Sequence, residues 1–274
     1  MVRPKAKREQ ALSLIENHSV SKSRACKVLG LSRSTLDYEE HPRDDEPVAS
    51  KLIELAAKHR RFGQKRLHVL LGREGIIVNH NRTERIYQSL GLQIKNRKRK
   101  KRGAVARVPV QEATYPGEIL AIDFMFDHVE CGRQLKVLTM VDEFGKESPS
   151  ILVDHSIRGK HVAEFLDLVL ATYPRVIRVD QGTEFTSNAF MDWAYEKGIE
   201  LQFTSVGKPN QLIESFNSRC RDEVLNDHVF FSLEDAREKI DKWHWDYNNF
   251  NPHSSLGMKT PVEFAKEQEL MLSA

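Results

Sequence analysis

The sequence predicts a mixed α/β domain, a sheet covered by helices, that is preceded by an all-α region. Up to residue 112 apolar residues recur at helical spacing, whereas from residue 113 three strand patterns follow one another and then alternate with helical ones. The charge changes at the same point. Residues 1–112 carry 26 Lys and Arg against 12 Asp and Glu, and residues 113–274 carry 16 against 27. A basic front half attracts polyanions and an acidic back half collects cations, although two opposite surfaces that dock on each other would show the same asymmetry.

The composition predicts one large core and one or two smaller ones, since 40% of the 274 residues are hydrophobic. No apolar run is long enough to span a membrane, and the first residues lack the apolar stretch of a signal peptide. Cys26, Cys131 and Cys220 lie far apart, which argues against a zinc site and against a disulfide framework. A cytoplasmic location is therefore expected.

Residues 1–45 predict a helix-turn-helix domain. The expected helices cover residues 8–17, a second segment that follows the cap Ser21 and ends at Leu29, and a third that begins at Arg33 after the cap Ser32. Gly30 would relieve the turn between the second and third helices. Arg33, Ser34 and Thr35 would begin the recognition helix, where side chains meet base edges or phosphates. The alternative is an ordinary three-helix cap.

Residues 46–94 predict a second helical DNA-binding domain. Helices are expected over residues 48–60 and 63–74, with Gly75 ending the second. A third helix, capped by Asn79 or Asn81, should run to about Leu90 and carry two candidate DNA contacts, Arg82 and Arg85. A helical hairpin that only packs on the core remains the competing interpretation.

Residues 95–112 predict a basic linker. Residues 95–107 contain eight basic residues and no acidic one, so this segment should neutralise phosphates in a salt-dependent way. A charge run is often only a solvated surface, but this one joins a basic region to an acidic one. Its candidate DNA contacts are Arg97, Lys98, Arg99, Lys100, Lys101 and Arg102.

Residues 113–274 predict the mixed sheet and a C-terminal helical extension. Strands are expected at 118–126, 134–141, 147–153, 176–179 and 199–204, and helices at 158–172 and 187–197. Three strands in a meander followed by alternating helices and strands are typical of a mixed sheet with helices on its faces.

Three acids in this region are candidate metal ligands. Asp123 lies inside the first strand between Ile122 and Phe124, and Asp180 ends the fourth strand before a sharp turn. Carboxylates in an apolar setting need a partner, and a divalent cation is one such partner. Glu214, on an expected helix, supplies a third oxygen ligand. A set without His or Cys favours Mg²⁺ or Mn²⁺ over zinc.

The order Asp123, Asp180, Glu214 resembles the DDE triad of retroviral-integrase-type transposases, which have a ribonuclease-H-like core. More narrowly, the chain is similar to the OrfB product of the IS-three family of bacterial insertion sequences. The matching strings, in the family's order, are R-R-F-G-Q-K-R-L-H-V-L-L-G-R-E-G (60–75), V-N-H-N-R-T-E-R-I-Y (78–87), A-I-D-F (121–124), T-M-V-D-E-F (139–144), R-V-D-Q-G-T-E-F (178–185), I-E-S-F-N-S-R-C-R-D-E (213–223) and W-D-Y-N-N-F-N-P-H-S-S-L-G (245–257).

The resemblance implies a DNA transposase in which the triad holds two Mg²⁺ or Mn²⁺ ions for cleavage and strand transfer. It also implies that Lys208 and Arg221 contact DNA. The expected partners are the terminal inverted repeats and target DNA, an OrfA-type protein or fusion, and further copies in a dimer or larger assembly on DNA. A bacterial, nucleoid-associated location follows from the same resemblance.

The chain departs from the family at two places. Thirty-three residues separate Asp180 from Glu214, two fewer than usual, and Asn251 stands where the family has Arg. A shift of two residues within a helix would turn a side chain by about 200°, whereas a shorter loop would leave Glu214 in place. A catalytically weak or inactive transposase-derived DNA-binding protein is therefore one alternative function. A plain nuclease is another, but two DNA-binding domains argue against it.

Overall fold

The computed structural model describes residues 4–38, 44–94, 111–204 and 210–272, and the chain divides into two compact units, residues 1–47 and residues 48–274. The expected contacts Arg97 to Arg102 and Lys208 lie outside the described residues. No helix in the described part of the chain is long and apolar enough to cross a membrane.

The first unit contains three helices, α1 (Pro4–His18), α2 (Lys22–Leu29) and α3 (Arg33–Leu36). Both predicted caps form: the hydroxyl of Ser21 accepts the Arg24 amide, and that of Ser32 accepts the Thr35 amide. Gly30 ends α2 in the left-handed region, with φ 58°. The third helix begins where the sequence predicts, but it is only a single turn. It therefore presents only its N-terminal end at the surface.

A second helical bundle begins the larger unit and comprises α4 (Glu46–Lys58), α5 (Gln64–Arg73) and α6 (His80–Ser89). Asn79 is the cap of α6, since its Oδ1 accepts the Asn81 amide at 2.9 Å. The bundle has its own apolar core, which the ring of Phe250 from the C-terminal region joins. His59 stacks between Phe62 and Phe250, at 4.6 and 5.3 Å between ring centroids.

Five strands form one mixed sheet in the order β3-β2-β1-β4-β5. They are β1 (Ile119–His128), β2 (Gln134–Asp142), β3 (Ile151–Asp154), β4 (Val176–Val179) and β5 (Glu200–Phe203). The pairs β1–β2 and β2–β3 are antiparallel, and β1–β4 and β4–β5 are parallel. This arrangement confirms the predicted fold class.

The third strand is shorter than predicted, because pairing begins at Ile151 and not at Glu147. Pro149 has no amide hydrogen for a ladder. The backbone before it is used differently: the Glu147 carbonyl accepts the Asp142 amide, and Ser148 exchanges hydrogen bonds with the side chain of Asn248.

Helices cover both faces of the sheet. Side chains of β1, β2 and β3 alternate between two cores, one on each face of the sheet. On one face pack α7 (Gly159–Val169) and α8 (Asn188–Glu196), and on the other α9 (Gln211–Cys220) and α10 (Leu233–Asn249). A π-helical turn (Arg221–Leu225) extends α9, and a 3₁₀ turn (Ser254–Leu256) and α11 (Pro261–Leu272) follow α10. The helix predicted at 158–172 ends at Val169 because Leu170 is extended.

Candidate active site and DNA-contacting residues

Asp123 lies on the face of the sheet that α9 covers. Its neighbours on that face of β1, Ala121 and Met125, pack against α9 and α10. Its Oδ1 accepts the Phe124 amide and its Oδ2 accepts the side-chain amide of Asn217, both at 2.8 Å. The carboxylate is thus held by one hydrogen bond from its own strand and one from α9.

Asp180 follows β4 at the same level of the sheet. Ala121 pairs with Arg178 across the parallel β1–β4 ladder, so the register extended by two residues sets Asp180 beside Asp123. The Gly182 amide donates to Asp180 Oδ1 at 2.9 Å. A Cβ on Gly182 would lie 2.9 Å from that same oxygen, which gives the glycine of the predicted turn a steric reason.

Glu214 lies on the first turn of α9. Asn210 caps this helix, because its Oδ1 accepts the Leu212 amide at 3.1 Å, and its carbonyl accepts the Glu214 amide. Asn210, Glu214 and Asn217 follow the i, i+4, i+7 spacing of one helix face. The apolar residues of α9 (Ile213, Phe216 and Cys220) point into the core instead. The shorter spacing after Asp180 therefore still leaves Glu214 on the face whose Asn217 contacts Asp123.

Asp180 and Glu214 act electrostatically on Asp123. Burial raises the pKa of Asp123 to about 6, and the charges of Asp180 and Glu214 act in the same direction, against the hydrogen bonds from the Phe124 amide and Asn217. Within the described ranges, no three His, Cys, Asp or Glu side chains converge closely enough to form a complete metal site. An oxygen-only set nevertheless fits Mg²⁺ or Mn²⁺, and a cation between the acids would offset the repulsion felt by Asp123.

Asn217 is the functional candidate that the sequence analysis missed. Its Oδ1 accepts the hydroxyl of Thr139 at 2.7 Å, and Thr139 stands opposite Asp123 in the β1–β2 register. The side chain therefore joins α9 to two strands next to Asp123. The available signal was its spacing of three residues from Glu214, which places both on one helix face.

Other acids near the triad have structural partners. Glu184 forms an ion pair with Lys136. Asp142 is buried and accepts the amides of Gly117 and Gly145. Glu143 forms an ion pair with Arg178, and Glu223 with Arg66. Each of these acids thus has a specific partner of its own.

The predicted DNA contacts of the first unit lie at its surface. Arg33 and Ser34 are exposed and Thr35 is half-buried. Arg33 donates to the hydroxyl of Ser23 at 2.7 Å, and the hydroxyls of Ser34 and Thr35 lie 3.0 and 2.6 Å from that of Ser32. DNA would have to replace or share these local hydrogen bonds.

In the larger unit, three predicted DNA contacts differ in how exposed they are. Arg82 is half-buried and Arg85 exposed on α6, and Arg221 is exposed at the start of the π-helical turn. Arg221 continues the spacing of Glu214 and Asn217 along α9, before the π-helical residues change the helical register. Trp243 is buried, whereas Trp245 is 60% exposed.

The C-terminal signature at 245–257 holds α10 against the rest of the unit. The hydroxyl of Tyr247 donates to the Lys146 carbonyl at 3.1 Å, and Asn248 binds the backbone of Ser148. His253 accepts from Arg219 through Nδ1 and donates from Nε2 to the Tyr247 carbonyl. Burial, and then the neighbouring Arg219, lower the pKa of His253 to about 3, so the ring is neutral.

Comparisons with known proteins agree with this fold. Two models described as integrase core domain match residues 113–209 and 197–261, and one described as HTH-like domain matches residues 42–101. The insertion element IS407 uncharacterized 31.7 kDa protein of Burkholderia multivorans is 43% identical, over 94% of this chain and 95% of its own. The transposase for insertion sequence element IS904 of Lactococcus lactis is 25% identical, over 81% of this chain and 94% of its own.

A solved structure supports the fold independently. A cryo-electron-microscopy structure of a simian T-cell lymphotropic virus intasome aligns with a TM-score of 0.50 and 16% identity, over 78% of this chain and 74% of that one. Sheet order, flanking helices and matched core domains define a polynucleotidyl transferase core of the integrase type, with a ribonuclease-H-like fold. The chain belongs to the insertion-sequence transposases of the IS-three family.

Proposed function

We propose that this transposase binds the ends of its element and carries out cleavage and strand transfer at Asp123, Asp180 and Glu214. The observation that supports this most is the raised pKa of Asp123, to which burial and then the charges of Asp180 and Glu214 contribute. Acids that lie close enough to shift the pKa of a neighbouring acid are typical of an active site. Glu143 and Glu223, by contrast, form ion pairs with arginines.

In this proposal the three acids would hold two Mg²⁺ or Mn²⁺ ions, which would activate the attacking hydroxyl and stabilise the leaving oxygen. The chain's own residues prepare that site. Asn217 orients Asp123 and fixes the α9 face that carries Glu214. Gly182 lets the backbone turn closely around Asp180. Arg221, exposed on the same side of the helix, would bind a phosphate next to the scissile one.

DNA binding would involve both helical domains, the basic linker and Lys208. The basic residues of the linker would supply a nonspecific, salt-dependent part of the affinity. The exposed turn at Arg33 and the surface of α6 would contact the terminal repeats. Assembly as a dimer or larger complex on DNA belongs to this proposal, and an OrfA-type partner remains a prediction from the resemblance.

The test is metal-dependent cleavage and joining on labelled DNA that carries the element's ends. Asp123→Asn keeps the shape but removes the charge and one of the two acceptor oxygens, so it should lower the rate by about 10²–10³ or more. DNA affinity measured without metal should stay within about twofold, since phosphate contacts come from other residues.

Three outcomes would contradict the proposal in different ways. Tight binding without product, with either metal, would indicate a DNA-binding protein without turnover. Cleavage without joining would indicate a nuclease. Equal activity of the wild type and Asp123→Asn would mean that the chemistry lies elsewhere.

A further inference from the structure

A buried ion pair lies directly beneath the start of α9. Glu143, the first residue after β2, pairs with Arg178 of β4. Only 11% of the Glu143 side chain and 7% of the Arg178 side chain are exposed. The second oxygen of Glu143, Oε1, accepts the side-chain amide of Asn210 at 3.2 Å. Glu143 thus connects the sheet to the residue that caps the helix of Glu214.

Arg178 is held in one orientation by its other nitrogens. Its Nε donates to Gln202 of β5 at 3.0 Å, and its Nη2 donates to the Gln111 carbonyl at 2.6 Å. A guanidinium in a buried setting needs such partners, because an unpaired buried charge is costly. Arg178 also lies two residues before Asp180, on the same face of the sheet. The position of Arg178 is therefore linked to Asp180 through the backbone that follows β4, and to α9 through Glu143.

Glu214 lies between two attachments of α9 to the sheet. Asn210, four residues before it, bonds to Glu143, and Asn217, three residues after it, bonds to Asp123. The first turn of a helix has no intrahelical acceptors for its amides and depends on its cap. The attachment at Asn210 therefore governs how firmly the turn that carries Glu214 is held.

We propose that Glu143 and Arg178 are positioning residues of the transposase, which set Glu214 relative to Asp123 and Asp180 through Asn210. This inference rests on the proposed function for its effect on catalysis. Its structural part, the coupling of the buried pair to the first turn of α9, can be measured without activity. The competing interpretation is that the pair only stabilises the sheet.

Three variants separate these interpretations. Glu143→Gln removes the charge that pairs with Arg178 and weakens the acceptor for Asn210. Asn210→Ser keeps a good cap hydroxyl for α9 but removes the donor to Glu143, and it avoids burying an unpaired charge. Glu118→Gln is the matched control. Glu118 is also a buried acid of the sheet and pairs with an arginine, Arg175, at 2.9 Å, but the hydrogen bonds of its carboxylate are to Thr114 and Arg175 and not to α9.

The first measurement is hydrogen exchange of the amides at residues 211–215, with residues 217–220 as an internal reference. Glu143→Gln and Asn210→Ser should each raise exchange in the first turn by about tenfold and leave the reference amides unchanged. Glu118→Gln should leave both segments at wild-type rates. Because hydrogen exchange is measured without catalysis, it tests the coupling to α9 even if the wild type turns out to be inactive.

The second measurement is the rate of strand transfer against the Kd for end DNA. Glu143→Gln and Asn210→Ser should lower the rate by about tenfold or more and leave Kd within twofold, whereas Glu118→Gln should change neither. The double variant should be no slower than the slower single variant, because both changes cut one connection. The proposal would be overturned if both variants showed wild-type amide exchange in the first turn of α9. It would also be overturned if Glu118→Gln changed exchange and rate as much as Glu143→Gln does.

Discussion

At the scale of single residues, acidic neighbours distinguish Asp123 from the other buried acids of the sheet. Asp142, Glu143 and Glu184 each have a cation or backbone amides as partners. Asp123 accepts from a backbone amide and an amide side chain, and burial and then its acidic neighbours raise its pKa. The residues that hold the two aspartates, Asn217 beside Asp123 and Gly182 beside Asp180, are small and uncharged.

Asn217→Ala should slow strand transfer by about 10- to 100-fold, because Asp123 loses a donor and α9 loses its attachment beside the site. The Kd for end DNA should remain unchanged. Single-turnover kinetics measure this, with Asn226→Ala as the control, since the side chain of Asn226 is exposed and bonds only to Asp222, at 3.4 Å. Equal rates for the two variants would refute a role of Asn217 in the site.

Gly182→Ala should lower the rate with little loss of stability. The new methyl group would lie 2.9 Å from Asp180 Oδ1, which must move. Because Oδ1 is the end atom of a side chain and can move, the free energy of unfolding should change by less than about 1 kcal/mol. Gly72→Ala is the control, as its Cβ would meet nothing within 4 Å, and in helix α5 it should stabilise by about 0.5–1 kcal/mol. Urea unfolding and single-turnover rates test both. A wild-type single-turnover rate in Gly182→Ala would show that the site tolerates a displaced Asp180.

At the scale of elements, the π-helical turn after α9 connects the second helical bundle to the catalytic region. It directs Glu223 toward both Arg66 of α5, at 3.2 Å, and the indole of Trp243 in α10, at 2.8 Å. The Arg66 side chain also stacks on Phe62, with its guanidinium carbon 4.8 Å from the ring centroid. A regular α-helix would have rotated Glu223 away from this position, because the π register changes the angle of the residues after Arg221.

Glu223→Gln should therefore destabilise the larger unit by about 2–4 kcal/mol, since it leaves Arg66 without its charged partner in a largely buried setting. The free energy of unfolding from urea titration measures the loss. Glu164→Gln, which breaks the exposed pair Lys160–Glu164, is the control and should change stability by less than about 0.5 kcal/mol. Similar small effects of both variants would mean that the Arg66–Glu223 pair is not important for stability.

At the scale of the whole molecule, buried neutral histidines make stability depend on pH. Burial, and then nearby Arg219, lower the pKa of His253 to about 3, and burial also lowers the pKa of His244. The unfolded chain takes up these protons near pH 6.5, whereas the folded chain does not. Stability is thus fully present above about pH 6.5 and falls as the pH decreases toward 3.

His253→Gln should reduce this slope by up to about 1.4 kcal/mol per pH unit between pH 6 and 4. The variant can be less stable at pH 7.5, because Arg219 and the Tyr247 carbonyl lose part of their hydrogen bonding, but the slope is independent of that offset. Urea unfolding at several pH values measures it. His128→Gln, at the exposed end of β1, should keep the wild-type slope. An unchanged slope in His253→Gln would show that folding does not lower the pKa of His253.

The sequence alone determined the class of the protein and the order of its elements, and it singled out the three acids that we propose as the active site. These features are local: apolar spacing defines each helix and strand, caps such as Ser21 and Asn79 define helix starts, and the motifs are short strings. Only tertiary structure decided which polar groups meet. Asn217 contacts Asp123 from 94 residues away, and Glu143, in the turn after β2, pairs with Arg178 of β4. Such contacts depend on strand order and register, which arise from long-range pairing and are not encoded in any one segment.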